Sequence, residues 1–239
     1  MKFFYSAGAM SYGEGYWFHK FFDFPKLPFI TKTLTLLPTK GHKYLILPIG
    51  SSVFNRVGLD NIGLHYFIDR YEFSKIPRTI SIAGSDADIK EMVGMIDYYL
   101  PEEDSIELNF SCPNIKSFKN RVIPETNRDL YLKINWTQSP YNYDRSNIKG
   151  IRFNSIPLKY CGGSGKIAQI RNWGLIKILN GHGLNAAGCS IQNVQDIKTL
   201  EDMGCKEIGI GSIMLTNPWF VEKLKFHDRT RKGCDGKSL

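Results

Sequence analysis

Eight short apolar runs recur along the 239 residues, most of them followed by a stretch with helical periodicity, and this alternation constrains the fold more than any other property of the chain. The runs lie at 3–8, 29–33, 79–83, 105–111, 130–134, 150–155, 183–188 (the weakest) and 207–211. Helices are expected over the aromatic segment from Tyr16 to Phe22, which Pro25 and Pro28 end, and after a capping Asp86, with Ile89, Met92, Val93, Ile96 and Tyr99 on one face. Others follow from Gly162-Gly163-Ser164-Gly165 to about 179, over 192–203, and from Pro218 to about 226. Residues 36–77 read as a long loop, of the kind that covers or forms a site. The pattern predicts a (β/α)8 TIM barrel, compact with shortened helices and loops, whose site lies at the C-terminal strand ends. An open doubly wound sheet would carry G-x-G-x-x-G after its first strand, and that turn is absent. One domain over 1–228 and a polar basic tail over 229–239 complete the expected organisation.

The composition narrows the function. A net charge of +8 would suit nucleic acid, but the Lys and Arg residues are spread along the chain and their densest cluster, 229–232, falls in the tail. No apolar run is long enough to span a bilayer, and the first residues lack a signal-peptide core, so a cytoplasmic protein is expected. Five widely spaced cysteines without a C-x-x-C pair argue against a disulfide framework, and five histidines without H-x-x-x-H spacing argue against a bound metal.

The chemistry concentrates at Glu107-Leu-Asn-Phe-Ser-Cys-Pro-Asn114. Ile106, Leu108 and Phe110 alternate with Glu107, Asn109 and Ser111 as in a strand, and Pro113 ends it. Cys112 therefore stands at a strand mouth between two carboxamides. A cysteine there is either a small buried hydrophobe or a group exchanging a proton beside a planar ligand held by Asn109 and Asn114. Lys32 and Lys133 are delivered by strands in the same way, which is an unusual place for a lysine that only solvates a surface.

These residues, in this order, resemble the soluble class 1 dihydroorotate dehydrogenases, flavin-dependent barrels of pyrimidine synthesis, over nearly the whole chain. The resemblance implies bound FMN and oxidation of dihydroorotate to orotate, with Cys112 as the catalytic base. It implies substrate contacts from Lys32, Asn109, Asn114, Asn154 and Ser155, and from Asn55, Val57, Gly58 and Leu59 in the loop Asn55-Arg-Val-Gly-Leu-Asp-Asn-Ile-Gly63. Flavin contacts are implied for Ala7, Gly8, Lys32, Thr33, Asn109, Lys133 and Phe153. Phosphate contacts are implied for Gly163, for Cys189 and Ser190, and for Gly211 and Ser212; Cys189 and Ser190 stand where the family has two glycines. Asn154-Ser155-Ile156 is closer to the fumarate-linked branch than to the NAD-linked one, which implies fumarate as acceptor and a homodimer. A barrel that binds flavin without turnover, or another flavin-dependent dihydropyrimidine oxidoreductase, are the alternatives.

Overall fold

The computed structural model describes residues 1–42, 46–71, 77–111, 121–143, 146–153, 155–159 and 161–224. Its centre is a parallel sheet whose strands bury both faces, so their sequences are apolar outward and small or polar inward. In chain order the strands are β1 (Lys2–Tyr5), β2 (Phe29–Ile30), β3 (Ile46–Ile49), β4 (Ser52–Asn55), β5 (Arg78–Ile82), β6 (Ser105–Asn109), β7 (Leu130–Ile134), β8 (Ile148–Phe153), β9 (Ile156–Pro157), β10 (Gly162–Gly165) and β11 (Glu207–Ile210). Seven of them form one sheet in the order β11-β1-β2-β5-β6-β7-β8. The eighth position is filled by the segment around Ala186, which bridges Ile151 on one side and, through Gly188, Ile208 on the other. That closes a (β/α)8 barrel.

The helices are α1 (Leu64–Tyr71), α2 (Asp86–Tyr99), α3 (Lys166–Gly181), α4 (Val194–Asp202), α5 (Ile213–Thr216) and a last one over 218–224. The main core lies between strands and helices: Ile80, Ile82, Ile106, Leu108 and Leu132 point outward against Ile89, Met92, Val93 and Ile96 of α2. The apolar core inside the barrel is much smaller, with Phe4, Ile30 and Ala187 at its centre. Polar and charged side chains fill the rest of the interior, which is what a site at the barrel mouth needs. No helix among the described residues is long and apolar enough to cross a membrane.

Several sequence expectations are corrected here. The aromatic segment forms only a five-residue 3-10 turn, Trp17–Phe21, and Trp17 and Phe21 are 75% and 74% exposed rather than core. Prolines at 25 and 28 and glycines at 13 and 15 leave no room for three turns. The cap of α2 is Ser85, not Asp86: Ser85 Oγ accepts from the Asp88 N–H (3.2 Å) and Asp88 Oδ2 accepts from the Ser85 N–H (2.9 Å). The expected loop over 36–77 contains the hairpin β3–β4 and helix α1. The hairpin escaped notice because β3 is an edge strand with all four residues exposed and a proline inside it, so it shows no alternation. Gly162–Gly165 leads directly into α3, with Gly165 as its N-cap, but is itself the strand β10, paired antiparallel with β4 from Gly162↔Asn55 to Gly165↔Ser52. The tail 229–239 lies outside the described residues.

Candidate functional site

The C-terminal strand ends open into a cleft of about 1080 Å³, at the upper end of the volumes that ligand pockets span. Ala7 and Gly8 follow β1 into it, Lys32 and Thr33 follow β2, Asn109 ends β6, and Lys133 and Phe153 come from β7 and β8. Ser155, Cys189, Ser190, Gly211 and Ser212 line it from the loops beyond, and Asn55, Val57, Gly58 and Leu59 add a wall from the hairpin side. Gly163 stands apart from the lining: a Cβ there would lie 3.0 Å from Leu158 Cδ1 and 3.1 Å from Ile167 Cγ2, inside the hairpin packing. Cys112, Asn114 and Asn154 lie outside the described residues.

A chain of hydrogen bonds crosses the mouth and has only one possible direction. Glu107, as a carboxylate, can only accept, so Ser81 Oγ donates to Glu107 Oε1 (2.8 Å). Ser81 then accepts from Thr33 Oγ1 (2.9 Å), which itself accepts from Asn109 Nδ2 (2.9 Å). The amide of Asn109 is thereby fixed with its oxygen towards Ser111, whose N–H (3.2 Å) and hydroxyl (2.5 Å) donate to it. Three strands, β2, β5 and β6, thus agree on the orientation of one carboxamide at the cleft.

Charge lies directly below. Glu107 Oε1 is 3.5 Å from Lys133 Nζ and Glu107 Oε2 is 3.6 Å from Arg152 Nη1. The guanidinium of Arg152 sits over the ring of Tyr131, 3.6 Å from its centroid, with Phe4 at 4.7 Å. Burial pushes the Tyr131 phenol up from its ordinary value, so it stays a neutral ring beneath the cation.

The loop after β4 is shaped by backbone that only some residues accept. Gly58 and Leu59 both have positive φ, +70° and +61°, and a Cβ on Gly58 would lie 2.6 Å from His42 Cδ2. Asn61 pins the loop: its Oδ1 accepts from the N–H groups of Thr35 (3.1 Å) and Gly63 (2.8 Å), while its Nδ2 donates to Leu59 O (2.6 Å). Lys32 Nζ meets Asp60 Oδ2 of the same loop at 3.2 Å.

At the far end, the first two N–H groups of α3 are already spent, Lys166 on Ser51 O (2.9 Å) and Ile167 on Ser52 Oγ (3.1 Å). Those two donors are therefore not available to an anion. Gly165, with φ +73°, comes so close to the neighbouring loops that a Cβ would lie 3.1 Å from Ser212 Oγ. Cys189 and Ser190 turn towards each other, Ser190 Oγ donating to Cys189 Sγ (3.7 Å), and Asn172 Nδ2 also donates to that sulfur (3.6 Å). Ser190 keeps φ +62°, a left-handed conformation in which a glycine would sit without strain.

Sequence reasoning assigned no role to Glu107, Ser81, Asp60 or Arg152. Glu107 was within reach, since the alternation that points Asn109 inward also points Glu107 inward. Arg152 stands two residues before the implied contact Asn154 in sequence, a spacing the same period reads. Asp60 and Ser81 gave no comparable signal, because their partners come from distant parts of the chain.

The family model described as "Dihydroorotate dehydrogenase" matches residues 2–135. A "Dihydroorotate dehydrogenase B (NAD(+)), catalytic subunit" from Porphyromonas gingivalis is 35% identical over 112 residues, covering 44% of this chain and 36% of that protein. The protein of the same name from Thermotoga petrophila is 22% identical over 232 residues, covering 82% of this chain and 85% of its own length. The first of these, and its counterpart from Trichlorobacter lovleyi, are matched over only 36% and 38% of their length. Among solved structures, the ligand-free dihydroorotate dehydrogenase of Eimeria tenella superposes with a TM-score of 0.67 at 16% identity, covering 93% of this chain and 82% of that one. The chain belongs to the dihydroorotate dehydrogenase family.

Proposed function

We propose that this chain binds FMN in the barrel-mouth cleft and oxidises dihydroorotate to orotate. The observation that carries the reading is the directed chain from Asn109 through Thr33 and Ser81 to Glu107, which presents a fixed carboxamide beside a buried lysine at the cleft. The residues fit a flavin. The buried Oε2 of Glu107 has no hydrogen-bond partner among the described residues, and the left-handed Ser190 and the tight approach of Gly165 to Ser212 shape a narrow far end. Lys32, Thr33, Asn109, Lys133 and Phe153 would hold the ring, with Ala7 and Gly8. Cys189, Ser190, Gly211 and Ser212, which line the cleft, are the candidates for the phosphate; Gly163, held apart from the lining, is not.

When bound, FMN supplies the hydride acceptor. In this reading Cys112 takes the proton from the substrate carbon next to the one that loses hydride. Asn55, Asn109, Asn114, Asn154 and Ser155 hold the amide edges, and the loop residues Val57, Gly58 and Leu59 close over them. Lys32 faces the substrate carboxylate and Lys133 offsets negative charge as reduction proceeds. For the electron acceptor, Ser155-Ile156 after Asn154 supports fumarate and a homodimer. The names of the curated relatives, which carry NAD(+), support a second reading in which NAD(+) takes the electrons.

The test is the absorption spectrum of the purified chain before and after anaerobic dihydroorotate. Bleaching of a flavin band is expected, and Cys112→Ala should keep the flavin while slowing the bleaching by ~10²-fold or more. A flavin that dihydroorotate never bleaches would mark a barrel without turnover. Reoxidation by fumarate or by NAD(+) then separates the two acceptors.

A further inference from the structure

Glu107, Lys133 and Arg152 are full charges on three adjacent strands, and they are only 1%, 7% and 7% exposed. Lys133 and Arg152 are register partners on β7 and β8, and all three residues line the cleft. One carboxylate faces two cations, so the group carries a charge of +1. Nε and Nη1 of Arg152 have no hydrogen-bond partner among the described residues. Tyr131 and Phe4 hold the guanidinium by their faces, which fixes its place without spending its donors. The other charges near Tyr131, Glu207 and the Lys149–Asp129 pair, come from the opposite ends of their strands, where Glu207 is half-buried and the pair is half-exposed. An unbalanced buried cation is costly unless an anion meets it, and the cleft is where one would arrive.

We propose that Arg152 is a positioning residue that converts a neutral Glu107–Lys133 pair into a site of charge +1, favouring the bound flavin ring after it has become negatively charged and so raising its reduction potential. This rests on the FMN reading above. Reduction adds two electrons and one proton to the ring and leaves one negative charge; in the test, dithionite supplies the electrons. Lys133 alone would be offset by Glu107, so the excess charge belongs to Arg152.

The experiment loads the full chain with FMN and titrates it with dithionite against a reference dye, comparing wild type with Arg152→Gln, Arg152→Lys and Glu107→Gln. Arg152→Gln should shift the equilibrium about tenfold towards the oxidised ring, ~30 mV for a two-electron couple, and weaken the sulfite adduct of the flavin about as much. Arg152→Lys should recover most of both. Glu107→Gln, which leaves the charge at +2, should shift the equilibrium the other way, and it carries the test if Arg152→Gln does not fold. Unchanged potentials in the variants, or equal shifts in Arg152→Gln and Arg152→Lys, would overturn the proposal while leaving the FMN reading intact. A wild-type chain that takes up no FMN would overturn both.

Discussion

Lys32 Nζ lies 3.2 Å from Asp60 Oδ2, which ties the end of β2 to the loop that walls the cleft. Asp60 Oδ1 also accepts from the Gly41 N–H at 3.2 Å, so the carboxylate is held in front of the lysine. An anionic ligand approaching Lys32 competes with it. Asp60→Asn should therefore tighten orotate binding by roughly tenfold, or about 1.4 kcal/mol. The ion pair, whose side chains are 20% and 28% exposed, itself contributes about 1 kcal/mol to stability. Calorimetric titration of both proteins with orotate, next to urea unfolding, checks both numbers; weaker binding by the asparagine variant would contradict the competition.

His19 predicts a pH dependence of stability. Its Nδ1 accepts from the Tyr16 N–H at 3.2 Å, and its ring packs edge-on against Phe18 and Phe24. Burial pulls its pKa below the ordinary 6.5. The unfolded chain then binds a proton more readily than the folded one, so the contribution of His19 is full above about pH 6.5 and is lost as pH falls towards the lowered folded value. Urea midpoints at several pH values between 5 and 8 should decline on the acid side, and His19→Phe should flatten that part of the profile.

The barrel and the inward ring of polar side chains were legible because both follow from local period. Alternation in Ile106-Glu107-Leu108-Asn109 fixes which residues face in, and residues 130–134 form the strand over the span read from sequence. The hairpin β3–β4 was not legible, since β3 is an exposed edge strand containing Pro48 and β4 is held by Gly162–Gly165, more than a hundred residues away. Arg152 was not legible for a related reason: Glu107 and Tyr131 come from the neighbouring strands β6 and β7, and Phe4 of β1 reaches it only when the sheet curls. Local pattern sets direction, while contacts between distant strands set chemistry.

Arg128 predicts a large loss of stability from a polar residue outside the cleft. Helix α2 has no basic residue in its last turn, and Arg128 reaches in from the connection before β7 to supply one. Its Nη2 donates to Ile96 O (2.9 Å) and Leu100 O (2.8 Å), its Nη1 to Asp104 O (3.0 Å) and to Pro101 O, and its Nε to Asp97 Oδ1 (2.7 Å). Arg128→Ala leaves several carbonyls at a buried helix end without that donor. A loss of about 3 kcal/mol is expected, read as a shift in urea midpoint at constant slope.

The thiols should separate by burial. Burial pushes Cys189 up to about 11 and Cys205 up to about 12, so both remain protonated at neutral pH. As residues Cys161 and Cys189 are both half-buried and Cys205 is buried, so the raised pKa of its thiol is what sets Cys189 apart. Iodoacetamide at pH 8, followed by peptide mass mapping, should label Cys161 well before Cys189 or Cys205. Rapid labelling of Cys205 in the folded protein would contradict the burial.

The barrel closes through very little. Between β8 and β11 the joint consists of Ile151 N–H to Asn185 O, Ala187 N–H to Ile151 O, Gly188 N–H to Glu207 O and Gly209 N–H to Gly188 O, each 2.8–2.9 Å long. By contrast β7 and β8 match five residues to five, while β1 and β2 meet only at Tyr5↔Phe29 and β2 and β5 at two pairs. The cylinder is thus a curled sheet fastened in part along this short clasp, and fluctuations that unfasten it there cost less than opening the long β6–β7–β8 ladders. Backbone amides at Ala187 and Gly188 should exchange with heavy water well ahead of those at Leu108 and Leu132. Because Cys189 and Ser190 come next in the chain, the narrow end of the cleft would breathe with the clasp, giving a long phosphate-bearing ligand a way in and out that leaves the strands carrying Asn109 and Lys133 undisturbed.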